Sequence, residues 1–247
     1  MLIQAALNGG RTRSEHPAIP CTPEDLAASA KQSVAAGAGA EHFHVRSRDG
    51  RGSLGPDDVA LAVEAVRAAI PSTPFGVRTG AWIIPDTKVR HQKVAAWTIL
   101  PNFASVNFHE QGAAELAALL LSRGVAIEAG LIDARGPEAL VRSYVADRCL
   151  RIMFETQEET AGDALRNVEA IEAILDRAGI KVPRLLHGLN ATAWTLLDAA
   201  MTRGYDTRIG FEDVLTLPDG SQAPSNEALV AEAVRRASRF AAGAASL

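Results

Sequence analysis

The sequence predicts an α/β protein built as a closed (β/α)8 barrel, the TIM-barrel architecture, in a single domain over residues 1–247. Three observations carry this. Short β-rich runs alternate with longer stretches whose apolar residues recur at three- and four-residue steps. The alternation repeats eight times along the chain. A length of 247 residues suits that number of strand–helix units. A doubly wound open sheet is the competing arrangement. It is disfavoured because "LNGGRTR", after the first strand, lacks the G-x-G-x-x-G spacing of a dinucleotide-binding sheet.

The elements follow in order. The first strand, Leu2–Asn8, runs into a glycine pair. The helix Pro23–Ala36 opens with Thr22 as cap, Pro23 in the first turn and the acids Glu24 and Asp25 behind it. Glycines in "AAGAG" close that helix before the second strand, Glu41–Arg46. "GPDDV" starts the helix Pro56–Ala69, and the third strand is Phe75–Thr79. A weakly signalled helix over Asp86–Ala96 precedes the fourth strand, Ala104–Phe108. Helix Ala113–Ser122 stops at "SRGVAI", which enters the fifth strand, Ala126–Ile132. "GPEAL" opens the helix Pro137–Ala146, ahead of the sixth strand, Leu150–Glu155. Helix Thr160–Ala178 ends in "RAGIKVP" before the seventh strand, Arg184–His187. Helix Thr192–Thr202, the eighth strand Thr207–Glu212 and helix Ser225–Ala241 complete the pattern.

Composition narrows the function. A net charge of −4 with no block of like charge argues against a nucleic-acid surface or a basic membrane anchor. No apolar run has the length of a membrane span. The start, "MLIQAALNGGRTR", has no basic segment ahead of its apolar part and does not read as a signal peptide. Cys21 and Cys149 match no metal or redox spacing and are expected to be reduced, in a cytoplasmic protein.

The chemistry is expected at the C-terminal ends of the strands. In a barrel, alternate residues face inward. His42 and His44 then share the inner face, while Phe43 and Val45 face outward. Two neutral imidazoles converging on one point suit zinc or a similar divalent ion. The bland alternative is that backbone carbonyls satisfy both rings. The third ligand is expected from "TRIGFEDV", where a period of two places Arg208, Gly210 and Glu212 on one face. Two imidazoles and a carboxylate would leave a Lewis-acidic ion with open positions.

Glu128 lies among apolar residues of the fifth strand and needs a buried partner. Arg208 is the expected one, and that pair would orient Asp213. Asn8, Thr79, Gly80, Ser105 and Asn107 cluster at strand ends, as hydrogen-bonding groups that suit a substrate carboxylate. His187 is a further mouth residue, either a fourth metal ligand or a structural histidine, and Asn190 is positioned to cap the next helix. Glu155 is either a mouth residue or part of a helix cap. Trp82, Trp97 and Trp194 are expected in packing roles.

Taken together, "HFHVR", "IEAGLID" and "RIGFEDVLTLPDGSQAPSNEALV" resemble the β-keto acid cleavage enzymes, zinc-dependent (β/α)8 barrels related to the 3-keto-5-aminohexanoate cleavage enzyme. The resemblance runs nearly the full length, and H-x-H and R-x-G-x-E-D are its specific parts. It implies zinc on His42, His44 and Glu212, with Arg208, Asp213 and Glu128 as the proton-abstracting set. It implies an acyltransferase reaction in which a β-keto acid and acetyl-CoA give acetoacetate and a new acyl-CoA, by Claisen and reverse Claisen steps. It also suggests a homotetramer. Two stretches depart from the family pattern: Glu155 stands where glycine is expected, and "HGLNATAW", His187 to Trp194, stands where a Gly-Arg stretch is expected. The competing functions on the same barrel are a CoA-independent metal-dependent aldolase or isomerase, acting on a keto acid or sugar phosphate, and a non-catalytic metal- or ligand-binding barrel.

Overall fold

The computed structural model describes residues 1–244. The last three residues of the expected 1–247 domain lie outside the described residues. Eight parallel strands close into a barrel in the order β1-β2-β3-β4-β5-β6-β7-β8, with β8 paired back to β1. The strands are β1 Ile3–Ala6, β2 Ala40–Phe43, β3 Phe75–Arg78, β4 Phe103–Asn107, β5 Ala126–Leu131, β6 Arg151–Glu155, β7 Arg184–His187 and β8 Asp206–Ile209. Outside them run α1 Pro23–Ala35, α2 Pro56–Ala69, α3 Thr87–Ala95, α4 Ala113–Ser122, α5 Arg135–Arg142, α6 Ala161–Arg177, α7 Ala193–Arg203 and α8 Asn226–Ala244.

Local signals hold where they were specific. Thr22 and Asp25 form a reciprocal capping box, with Pro23 at the first helical position of α1. Asp86 caps α3 by accepting from the Val89 N–H at 2.8 Å, the terminus signal that this short helix needs. Most element ends shift by a residue or more, β2 for instance stopping at Phe43 and not at Arg46, and two further shifts bear on the architecture. Helix α5 begins at Arg135, ahead of the Gly-Pro pair, and ends at Arg142. Strand β8 stops at Ile209, so Glu212 lies in a turn beyond it.

The apolar core is the shell between strands and helices. Outward-facing Phe43, Phe75, Val77, Ile127 and Phe154 meet Leu26, Val63, Leu116, Val168 and Leu196 from the helices, all at 2% exposure or less. Fully burying one such aliphatic or aromatic side chain stabilises the fold by about 1.5–3 kcal/mol. The barrel interior, by contrast, is polar. Near its lower end Gln4 Nε2 donates to Glu128 Oε1 at 2.9 Å, Arg151 Nε lies 3.5 Å from the same oxygen, and the Arg151 guanidinium covers the Phe103 ring. The expected Glu128–Arg208 pair is therefore not formed. Strand register places Arg151 directly beside Glu128, and the nearer cation takes the carboxylate.

Both cysteines are free, and burial pushes the Cys149 thiol up to about 12. No helix among the described residues is long and apolar enough to cross a membrane.

Glu41 on β2 is buried without a partner among the described residues. Glu41 points out of the barrel, between Ala5 and Phe75 of the neighbouring strands, and neither carboxylate oxygen meets a donor among the described residues. Burial holds its carboxyl well above the usual carboxylate range. The unfolded chain would lose this proton near pH ~4.3, whereas the folded chain keeps it. Stability contributed by the neutral carboxyl is thus complete below that pH and declines as pH rises toward the folded-state value. Glu41→Gln removes the titration. Its melting temperature is expected to exceed the parent's by a margin that widens from pH ~4 to pH ~7, measured by thermal unfolding across that range.

Candidate metal centre and active site

The C-terminal mouth of the barrel gathers the titratable groups. His42, on β2, is fully buried, and His44, just past its end, is 4% exposed. Their rings stand edge to face with centroids 5.4 Å apart. Burial first, with nearby Arg208 and Arg78 added, holds the His42 imidazole well below its usual range, so it is neutral with a lone pair to give. Neither His42 nitrogen has a hydrogen-bond partner among the described residues, which disposes of the idea that backbone carbonyls satisfy both rings.

The third donor arrives by a turn. Gly210 lies against β1 so closely that a Cβ there would sit 2.0 Å from the Ala6 carbonyl oxygen. The Asp213 and Val214 N–H groups both donate back to the Gly210 carbonyl at 2.9 Å, and the Glu212 N–H donates to Ala6 O at 3.1 Å. Asn226 clamps this turn from α8, accepting from Phe211 N–H at 2.7 Å and donating to Leu7 O at 2.9 Å. An extended strand would send Glu212 and Asp213 to opposite faces. The turn instead sends both to Arg208, whose Nη2 lies 3.1 Å from Glu212 Oε1 and 2.8 Å from Asp213 Oδ1. Burial would raise the Glu212 carboxyl, but Arg208, then His44 and His42, outweigh it and hold the group well below the usual range.

His42 Nε2 lies 3.6 Å from Glu212 Oε2, and His44 Nε2 lies 3.2 Å from Glu212 Oε1. The ligand atoms of all three residues fall within 4.8 Å of one another. Donors bound tetrahedrally at zinc distances stand about 3.3 Å apart. Neutral buried imidazole, unpartnered ring nitrogens and an ionised carboxylate at these spacings fit a divalent ion. Gly9, at φ +54, packs beneath Glu212, where a Cβ would come within 2.5 Å of its side chain.

The other expected mouth residues divide. Ser105 Oγ and Asn107 Oδ1 are buried and unpartnered among the described residues, Asn107 Oδ1 lying where a Cβ on Gly130 would come within 2.3 Å of it. Asn107 Nδ2 is held by Glu110 at 3.2 Å. The Asn8 amide is already spent: it accepts from His44 N–H at 2.8 Å and donates to the His44 and Pro20 carbonyls. It braces the backbone of His44 and has no donor left over. The Thr79 hydroxyl is likewise spent on the Ser105 carbonyl at 2.6 Å. Gly80 accommodates Trp82, whose indole nitrogen would lie 2.7 Å from a Cβ there. His187 is fully buried with Nδ1 3.2 Å from Asp213 Oδ1, on the Asp213 side and not among the clustered metal donors. Asn190 is not a helix cap. It adopts φ +51, donates its N–H to the Asp213 carbonyl at 2.7 Å and accepts from Arg11 at 2.6 Å.

Two features escaped the sequence reading. Trp82 is half exposed and lies over the His44 ring, centroids 5.4 Å apart, so it belongs to the mouth and not to the packing. Arg78 faces inward and pairs with Glu155 at 3.0 Å, both almost fully buried. An arginine in the otherwise apolar strand "FGVRTG" was the available signal. Trp97 does pack as expected, buried with Nε1 donating to the Leu54 carbonyl.

The class is that of closed parallel (β/α)8 barrels, here with two imidazoles and a carboxylate gathered at the C-terminal mouth in a cluster that could hold a metal ion. Comparison with known proteins narrows this: a family profile described as beta-keto acid cleavage enzyme matches residues 1–247, and the chain belongs to that family. It is 25% identical over 251 residues to a 3-keto-5-aminohexanoate cleavage enzyme of Fusobacterium nucleatum, covering 96% of this chain and 91% of the relative. It is 26% identical over 250 residues to a 3-oxoadipate:acetyl-CoA acetyltransferase of Cupriavidus necator, covering 94% and 86%. Among solved structures, a ternary complex of ObcA with a C4-CoA adduct and oxalate superposes with a TM-score of 0.70 at 17% identity, over 92% of this chain. The present chain spans 65% of the length of that one, and the likeness is one of fold.

The donor geometry makes a direct prediction. Purified protein is expected to hold about one divalent ion per chain by elemental analysis. His42→Ala and Glu212→Ala should each lower occupancy at least ~10-fold, since two remaining ligands make a poor site. Full occupancy in both variants would refute the assignment.

Proposed function

We propose that this chain is a zinc-dependent acyltransferase that cleaves a β-keto acid with acetyl-CoA, giving acetoacetate and an acyl-CoA. The observation that carries the reading is the clustering of His42, His44 and Glu212 within 4.8 Å, beside the buried Arg208–Asp213 pair. Held by those three residues, zinc would supply a Lewis acid that draws electron density from the substrate's ketone and acidifies the carbon between ketone and carboxylate.

The residues of the chain have separable tasks. Asp213 is the base. Arg208 pins its Oδ1 at 2.8 Å, while Oδ2 has no partner among the described residues and is the atom free to take the proton. Arg208 is fully ionised, its guanidinium raised above its usual value by Asp213, Glu212 and Glu155 against the cost of burial. It holds Asp213 in place and does not itself exchange protons. Glu128, bonded to Gln4 and Arg151, supports the barrel below this pair and acts at a remove. Ser105 and Asn107 present unpartnered oxygens toward the substrate, and His187 flanks Asp213.

Once Asp213 has taken the proton, the substrate carbon bonds to the acetyl carbonyl carbon of acetyl-CoA, and CoA thiolate leaves. The thiolate then attacks the original ketone carbon. The bond between that carbon and its neighbour breaks, releasing acyl-CoA and acetoacetate, and the proton returns from Asp213. We further infer a homotetramer in the cytoplasm, in line with the family resemblance. The exposed apolar side chains of Leu61, Val89, Tyr144 and Leu150 offer material for subunit contacts.

Asp213→Asn is expected to lower kcat by roughly 10²-fold or more while metal content stays at the parent level. Acetoacetate should form from a panel of β-keto acids only when acetyl-CoA is supplied, followed by coupled detection of both products. Cleavage that proceeds equally without acetyl-CoA would reject the acyl-exchange reading in favour of an aldolase-like one.

A further inference from the structure

We propose that Arg78 is a specificity-determining residue that receives a carboxylate of the keto acid, and that Glu155 is the tether that aims it. The inference rests on the reading of the substrate as a β-keto acid and adds to it a binding group outside the metal centre.

Arg78 ends β3 on the inner face. Gly76, two residues earlier on the same face, has room only for hydrogen, because a Cβ there would meet the Phe103 ring at 2.2 Å. The arginine therefore rises from a filled floor toward the mouth. Its Nη1 donates to Glu155 Oε2 at 3.0 Å, reaching from β3 to β6. The pair spans the barrel, since β4 and β5 lie between those strands. Arg78 is 6% exposed and Glu155 is 5% exposed, yet the Arg78 Nε–H has no acceptor among the described residues. The guanidinium lies close enough to the metal centre to influence His42, and Glu212 acts on it in turn.

A buried guanidinium is costly unless its donors are used. Here one edge is satisfied by Glu155 and another is not. The planar fork matches a carboxylate, which can accept two parallel N–H bonds. The remaining charges agree. Glu155, Glu212 and Asp213 are balanced in part by Arg78 and Arg208, and a divalent ion on the histidines would turn the mouth net positive. An anionic substrate completes that balance, whereas a cationic one would not. Glu155 fixes Arg78 by the bond to its Nη1.

The carboxylate has two sources: the one adjacent to the ketone, or a second one at the far end of a dicarboxylic keto acid. Binding to the metal-loaded protein, measured by calorimetry without acetyl-CoA, separates them. The probes are freshly prepared acetoacetate, its methyl ester, and 3-oxopentanedioate with its monomethyl ester. The parent should prefer acid over ester. Removing one partner alone strands a buried charge, so the key variant is the double substitution Arg78→Gln with Glu155→Gln, checked for metal content and melting temperature.

In that variant the acid-to-ester affinity ratio should fall at least ~10-fold, with Arg78→Lys intermediate. A fall for acetoacetate assigns the carboxylate beside the ketone. A fall only for 3-oxopentanedioate assigns the distal one. An unchanged ratio for both acids in a folded, metal-loaded double variant overturns the proposal. So does a parent that binds acid and ester equally. Because no acetyl-CoA is present, absence of acyl exchange in turnover assays would strike the reaction and leave this result standing.

Discussion

The closure of β8 onto β1 is the constraint on which the site depends. Glycine at 210 lets the chain approach the Ala6 backbone, and the turn that follows is bonded to Ala6 and to its own Gly210 carbonyl. Asn226, reaching in from the last helix, ties the same turn to Leu7. Two consecutive acids are thereby presented to one guanidinium. Without that bend, Glu212 could join the histidines or Asp213 could reach Arg208, but strand geometry would not permit both.

The electrostatics follow from this arrangement. Burial alone would favour the protonated Glu212 carboxyl, and it would leave an isolated guanidinium as a costly unpaired charge. Held together, Arg208 and Glu212 keep each other ionised, and Asp213 pairs with the same guanidinium at 2.8 Å. Burial acts unopposed by any hydrogen bond on His42, and keeps it neutral. A neutral imidazole beside an ionised carboxylate is the state in which both serve as metal ligands. Asn8 adds rigidity by gripping the backbone on both sides of the His44 peptide unit, so that the second imidazole is braced from β1.

The barrel interior carries a second buried network, through Gln4, Glu128, Arg151 and Asp206. It lies toward the opposite end from the metal centre. Its role is to satisfy polar groups within a closed sheet whose outer face is largely apolar. Arg78 and Glu155 stand between the two regions, bridging opposite walls at the level of the mouth. Glu155 and His187 are in register on β6 and β7, so these two mouth residues are neighbours.

Much of this was written in local chemistry. The eight strands and their helices were legible because apolar spacing and terminus signals such as Thr22-Pro23 act within a few residues of themselves. The H-x-H pair was legible because alternation along one strand suffices to put both rings on one face. Partnership was not. Glu128 chose Arg151 over Arg208 because of inter-strand register, a property of two strands together. Glu212 reached the histidines through a turn that period-two reasoning does not describe. Asn8 and Thr79 looked like free hydrogen-bonding groups until backbone carbonyls from neighbouring strands consumed them. Sequence determined which elements form and which side chains can ligate or titrate. Tertiary structure decided which of those groups meet, because register, closure and burial are set by the whole ring of strands and not by any one of them.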